Sequence, residues 1–182
     1  MPVVPGWDGR YFEDFMVGDV YRHPYGRTVT EADNTWFTLL TNNPHPVHYN
    51  ADYAARTEFG RPLVVSTLTL AIVTGLSVAD VSLNAVANLG WDAVRLPNPV
   101  FAGDTIYAES EVLEARPSKS RRTQGLVRVR TRGYNQRNET VIEYERSVLV
   151  YRRGAKPSSG PSEVDAATGA DPGESGIDQG QP

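Results

Sequence analysis

The chain of 182 residues contains no cysteine and only three histidines. Without cysteine there is no disulfide framework, no thiol nucleophile and no thiolate-based zinc or iron–sulfur site. That composition fits a reducing compartment, and a cytoplasmic protein is expected. An excess of charge is missing from most of the chain as well. The net charge of −4 falls in residues 154–182, which hold one lysine and five acids, and the remaining 17 basic and 17 acidic residues balance. A neutral body lacks the field that gathers phosphates, so nucleic acid is not an expected partner. Residues 1–15 have no apolar core behind a basic region and already include Asp8, Glu13 and Asp14, so they do not read as a signal peptide. The longest uncharged run, Pro62 to Ala79, has the 18 residues of a short membrane span but carries Ser66, Thr67, Thr69, Thr74 and Ser77. A helix buried in a water-soluble domain is the expectation, with no membrane association.

Residues 154–182 contain six glycines, four prolines, four serines and no aromatic residue. Such a segment cannot bury enough apolar surface to offset its ordering entropy, and a disordered acidic tail is expected there. Residues 1–153 then form one domain, without internal repeats. Thr30 ahead of Glu31 and Asp33 marks a helix start. Ala32, Trp36, Leu39 and Leu40 make one helical stripe that Pro44 ends, and the stripe is expected to face the core. Asn50 caps a short helix running toward Gly60. Ser66 to Ala79 reads as a helix apolar on nearly every side, hence enclosed. From Ala85 onward the period changes to two, with strands expected over 85–94, 105–115, 124–134 and 139–152. Asn135 to Asn138 forms a hairpin loop, which would set Arg130 opposite Glu143 and Arg128 opposite Glu145. Early helices followed by long antiparallel strands indicate an α+β domain, its sheet curved round a single apolar helix, the hot-dog arrangement.

Two of the three histidines, His45 and His48, lie in one proline-rich loop, Asn42-Asn43-Pro44-His45-Pro46-Val47-His48. Imidazole is the side chain suited to general acid–base work at neutral pH, and the two prolines restrict the loop backbone. The five-residue spacing lets Asn43 and His48 face one pocket if the loop is extended. A metal site on His45 and His48 would need a third protein ligand, which the pattern does not supply. A packing role for His48 stands equally open on loop composition alone. Ser66 opens the apolar helix, either as a plain cap or beside free N–H groups suited to an oxygen that becomes an enolate. No Gly-x-Ser-x-Gly elbow surrounds it. Arg128, Arg130 and Arg132 share one sheet face and read as a solvated ladder with Glu143 and Glu145. Arg116, Lys119, Arg121 and Arg122 sit between strands and are either a solvated turn or a seat for a nucleotide phosphate.

Over residues 11–153 the sequence resembles the MaoC-like dehydratases, the hydratase branch of the hot-dog superfamily. The loop from Thr41 to His48 resembles the family's Gly-Asp-x-Asn-Pro-Ile-His motif, with His48 on the histidine and Pro46-Val47 on the Pro-Ile pair. Phe59-Gly60-Arg61-Pro62, leading into the helix, and the run from Pro99 to Thr105, similar to the family's Pro-Val-x-x-Gly-Asp-Thr, support it. Asn43 stands where the family has its catalytic aspartate, His45 where it has asparagine, and Ser66 where it has the glycine whose N–H polarises the thioester. Val65-Ser66-Thr67-Leu68-Thr69-Leu70 and the run Gly75 to Asp80 resemble the itaconyl-CoA and mesaconyl-CoA hydratases in particular.

The resemblance implies reversible hydration of an α,β-unsaturated acyl-CoA, with a short branched or dicarboxylic acyl group. His48 would be the base, Asn43 would hold the water, and the Ser66 N–H would face the thioester oxygen. His45, Arg27, Arg56 and Arg61 are candidates for a distal carboxylate, and Arg121 and Arg122 for the nucleotide. No metal and no cofactor is expected, the CoA thioester being the substrate. A homo-oligomer follows from the resemblance, a dimer or an assembly of two or three dimers. A hot-dog thioesterase is the first alternative, weakened because residues 61–79 contain no acid. A non-catalytic acyl-CoA-binding partner subunit, consistent with the missing aspartate, is the second.

Overall fold

The computed structural model describes residues 2, 4 and 6–157. The tail expected to be disordered therefore lies outside the described residues from 158 onward. The chain forms short strands β1 (Val20–Arg22) and β2 (Arg27–Thr28), helices α1 (Glu31–Leu40), α2 (Ala51–Ala55) and α3 (Ser66–Leu76), and long strands β3 (Ala85–Arg95), β4 (Thr105–Pro117), β5 (Gln124–Tyr134) and β6 (Thr140–Tyr151). A π-helical turn, Val78–Ser82, continues α3. The strands make one antiparallel sheet in the order β1-β4-β5-β6-β3, with β2 pairing separately on β4.

Alternation of buried and exposed side chains along β4, β5 and β6 gives the sheet one apolar face, and α3 lies across it. Helix and sheet approach closest at Gly133, where an added Cβ would stand 2.5 Å from a Val73 methyl. Leu68, Val73, Ile106, Ile142 and Tyr144 form the core at one end of the sheet, and Phe15, Val81, Val112, Val127, Val129 and Val148 at the other. The outer face carries the arginine ladder, in which Arg128 pairs with Glu145, and Arg130 lies 3.3 Å from both Glu111 and Glu145.

Four expectations are corrected. Asn135 to Glu139 close a five-residue loop, with the Asn135 N–H on the Glu139 carbonyl, so the register moves by two and Arg130 faces Glu145 while Arg132 faces Glu143. Helix α1 is turned round: Asn34 and Thr38 are buried, while Trp36, Leu39 and Leu40 are 65%, 69% and 79% exposed. Its inner face joins Asn34 and Thr38 to the half-buried Phe37, and Asn34 has hydrogen bonds to make there. Helix α3 is enclosed only on the sheet side, leaving Thr67, Ala71 and Gly75 exposed on the other. The short helix after Asn50 stops at Ala55 rather than near Gly60. Among the described residues no helix is long and apolar enough to cross a membrane.

Candidate functional site

The histidine loop is fixed from three sides. Its end winds into a single 3-10 turn, Pro46–His48, begun by proline where a missing N–H costs nothing. The Leu63 N–H then donates to the Val47 carbonyl at 3.0 Å, tying the loop to the segment that enters α3. Asn34 completes the clamp from α1. Its amide nitrogen donates to the His48 carbonyl at 2.7 Å and the Leu63 carbonyl at 3.0 Å, and its Oδ1 accepts the Val65 N–H at 2.9 Å. Three backbone groups that would be orphaned on burial are satisfied by one side chain 3% exposed. The only sequence signal for Asn34 is its i, i+4 pairing with Thr38 on a face otherwise counted as polar.

The His48 ring is half-buried, and its Nδ1 lies 2.9 Å from the Leu63 carbonyl. A carbonyl only accepts, so Nδ1 carries the proton and the neutral ring presents Nε2 as a free lone pair. His45 takes the opposite tautomer, since its Nδ1 accepts the Val47 N–H at 3.2 Å and leaves Nε2–H as a donor. The two ring centroids are 5.7 Å apart. The pair thus offers a base and a donor side by side. The Asn43 Oδ1 accepts the His45 N–H at 3.1 Å, leaving its amide hydrogens and one oxygen lone pair to offer.

Two hollows border this loop, and a third lies at the start of α3. His48 lines one of about 140 Å³ with Glu31, Asn34, Pro62 and Ala102. Asn43 lines a second, of about 190 Å³, on the far side of Tyr49. Ser66 lines a third, of about 240 Å³, together with Phe59, Leu63, Thr69, Asn98 and Val100. Within this chain Asn43, His48 and Ser66 therefore line three separate hollows rather than one cavity, with His48 bonded to the Leu63–Val65 entry that leads to Ser66 and Asn43 on the α1 side of the loop. Ser66 is the first helical residue and Val65 occupies the cap without a side-chain bond, so the plain-cap reading of Ser66 gives way to an uncapped helix start. The Leu68 and Thr69 N–H groups turn back to the Val65 carbonyl, whereas those of Ser66 and Thr67 have no partner among the described residues. Those two free N–H groups carry the positive end of the helix dipole.

The remaining candidates scatter. Arg27 is held by Asp33 at 2.6 Å and Arg56 by Asp52. Both are thereby spent on surface ion pairs. Arg61 lies with its guanidinium 4.0 Å above the Phe101 ring, next to the Leu63–Phe101 bridge and without an acidic partner among the described residues. Arg121 and Arg122 occupy the β4–β5 turn, separated from the helix entry by the length of β5, roughly 30 Å at the rise of an extended strand. Beside that turn Arg116, Lys119 and Arg121 border a hollow over the outer sheet face. Among the described residues no cluster of three metal-ligating side chains occurs.

Comparison with known proteins follows the same lines. The family model described as mesaconyl-CoA hydratase matches residues 7–180. A mesaconyl-CoA hydratase of Cereibacter sphaeroides is 37% identical over 155 residues, which are 85% of this chain and 45% of that protein. A beta-methylmalyl-CoA dehydratase of Chloroflexus aurantiacus is 38% identical over 145 residues, 80% of this chain and 41% of that one. Among solved structures, a MaoC domain protein dehydratase from Chloroflexus aurantiacus superposes with a TM-score of 0.79 at 34% identity, covering 88% of this chain and 45% of the other. The chain spans a little under half the length of these relatives. Its six-stranded antiparallel sheet round α3 is the hot-dog fold.

Proposed function

Because the chain belongs to the mesaconyl-CoA hydratase family, we propose that it hydrates an α,β-unsaturated acyl-CoA thioester reversibly, with a short branched dicarboxylic acyl group such as mesaconyl. One observation carries this reading: His48 is anchored through Nδ1–H to the carbonyl of Leu63, three residues before the unfilled Ser66 N–H, and its Nε2 has no partner among the described residues. In the hydration direction His48 Nε2 takes a proton from water, and the oxygen adds to the β-carbon. The electron pair of the double bond moves toward the thioester oxygen, where the Ser66 and Thr67 N–H groups receive the developing charge. The α-carbon then takes the proton back from His48, and no atom is left over. A positioned base supplies about 10²–10⁴-fold and a preorganised oxyanion donor about 10²–10³-fold, so the two act together. Asn43 cannot take a proton, and it can only hold the water, through its amide hydrogens or the second lone pair of Oδ1. Asn43 is a positioning group in this scheme and His48 the sole base.

Of the four original candidates for the distal carboxylate, Arg27 and Arg56 are engaged by acids, and Arg61 and His45 have no acidic partner among the described residues. The outward apolar face of α1 and the unpaired edge of β3 favour a second hot-dog unit packed against this one, and we take it to be a second copy of the chain in a homodimer. Such a protein works as a soluble cytoplasmic enzyme.

The test is incubation of purified protein with mesaconyl-, itaconyl- and crotonyl-CoA. Loss of the enoyl-thioester absorbance without release of free thiol supports hydration. Thiol release instead identifies a thioesterase, and binding with neither change identifies a non-catalytic acyl-CoA binder.

A further inference from the structure

The hollow at the start of α3 has one polar group that neither the fold nor the proposed chemistry uses. Thr69 is 2% exposed as a residue, yet it lines that hollow, and its hydroxyl makes no side-chain hydrogen bond among the described residues. A buried hydroxyl without a partner is costly, and Thr69 stands on the wall of the hollow, where a ligand can supply one. Apart from Ser66 and Asn98 the rest of the lining is apolar, from Phe59, Leu63 and Val64 on one side and Leu96 to Val100 on the other, and Asn98 is bound through its amide nitrogen to the Thr140 carbonyl. No cation lines the hollow. What it offers an anion is the Thr69 hydroxyl, the Ser66 hydroxyl three residues earlier and the positive end of the helix.

We infer that the Thr69 hydroxyl determines specificity by donating to the second carboxylate of a dicarboxylic acyl-CoA whose thioester oxygen rests on the Ser66 N–H; this rests on the proposed function. The distances agree. Three residues of helix advance about 4.5 Å along the axis. The two carboxyl carbons of a four-carbon backbone are separated by three carbon–carbon bonds, roughly 4 Å end to end in the trans form. Helical side chains lean toward the N-terminus, so the Thr69 hydroxyl reaches back over the turn that begins at Ser66. Apolar walls on the remaining sides suit a methyl branch. They also keep water from competing for the carboxylate.

The experiment measures binding as well as turnover. The unreactive saturated analogues succinyl-CoA and butyryl-CoA are titrated into the full-length protein and into Thr69→Val and Thr69→Ser. The wild type binds succinyl-CoA more tightly. Thr69→Val, equal in shape but without a donor, reduces the ratio of the two affinities by about 10- to 100-fold, the worth of a hydrogen bond to a charged group. Thr69→Ser restores most of the ratio. A wild type without preference, or a Thr69→Val variant whose ratio moves less than about threefold, overturns the inference. Loss of affinity for both analogues alike also overturns it, since that is the signature of a merely structural threonine. The catalytic reading fails separately. A wild type that discriminates between the analogues but hydrates no enoyl-CoA refutes the hydratase while leaving the carboxylate site standing.

Discussion

At the N-terminal end of α3, His48 bonds through one ring nitrogen and keeps the other open, beside a helix start whose first N–H groups are unfilled. At the C-terminal end, His23 bonds through both. Its Nδ1–H donates to Asp80 at 2.8 Å, and its Nε2 accepts from Ser110 at 3.0 Å. Ser110 in turn shares a 2.8 Å hydrogen bond with Thr131, and Asp80 also receives Arg10 at 2.6 Å. Ser110, His23 and Asp80 even stand in the connectivity of a hydrolase triad. Yet Ser110 is fully buried and already engaged, so no substrate carbonyl can reach it. Both ends of one helix hold imidazole, hydroxyl and amide chemistry, and the difference is saturation. Groups that are all paired hold the fold together, and groups with valence to spare are free to do chemistry.

The largest effect expected from breaking that contrast is at His48. His48→Ala reduces hydration by about 10²–10⁴-fold, the range for one general base, while the melting temperature stays close to wild type. Steady-state rates with mesaconyl-CoA check it. A folded variant with undiminished turnover would remove the proton carrier from the mechanism. Next comes Asn34, which touches no substrate and acts through the His48 loop. Asn34→Ala frees the loop from the helix entry, and displacement of the base by about 1 Å costs on the order of 10²-fold in kcat. It also orphans the Val65 N–H, worth about 1–3 kcal/mol of stability. If only stability falls and kcat holds, the clamp does not position the base.

At the sealed end the expected readout is stability rather than rate. Burial pushes the His23 pKa down, and the charges of Arg146 and Arg10 add to that against the pull of Asp80. A histidine that titrates lower in the folded chain than in the unfolded one makes the unfolded chain the better proton acceptor. Stability is therefore complete above about pH 6.5 and declines as the pH falls below it. Burial alone would raise the Asp80 carboxyl, but hydrogen bonds from His23 and Arg10 outweigh it and hold the group low. Its contribution is present above about pH 4 and disappears as acid protonates it, so both groups destabilise in the same direction. Thermal melts from pH 8 to pH 4 should show the decline beginning near neutrality. His23→Gln should flatten its upper part at a fixed cost of about 1–3 kcal/mol. A wild-type melting temperature flat between pH 7 and pH 5 would contradict the assignment.

The long strands β4 to β6 are legible in the sequence because their alternation runs on over 11 to 13 residues, and β3 shows as a strand of 11 residues despite three register shifts. β1 and β2 are not, since three and two residues carry no period. The register slipped by two because it depends on whether Glu139 belongs to the turn, which backbone geometry decides, with Asn138 at φ 62°. The histidine loop announces itself by composition, but its clamp does not. Hydrophobic periodicity assigns the inner face of α1 to Trp36, Leu39 and Leu40, whereas the position of Asn34 is set by three backbone groups far apart in sequence. A helix that buries its polar face and exposes its apolar one gives the same pattern as the reverse. Only the site it serves tells them apart.

The smallest effect should come from Arg146, and it sharpens the comparison most. This guanidinium is 2% exposed, donates to Ser77 at 3.0 Å, and leaves its Nε without a partner. Burial lowers its pKa, and no carboxylate is bonded to it among the described residues. A buried cation so weakly matched contributes little net stability, and well-packed apolar replacements of buried charges are often neutral or favourable. Arg146→Met, of similar length, should therefore melt within a few degrees of wild type. It should also relieve His23 of one nearby positive charge and raise its pKa toward the unfolded value, which shrinks the decline in stability below pH 6.5. A steep fall in melting temperature would instead show that Arg146 holds the C-terminal end of α3 through the Ser77 hydroxyl. The sealed end would then owe its stability to the cation rather than to the His23 network.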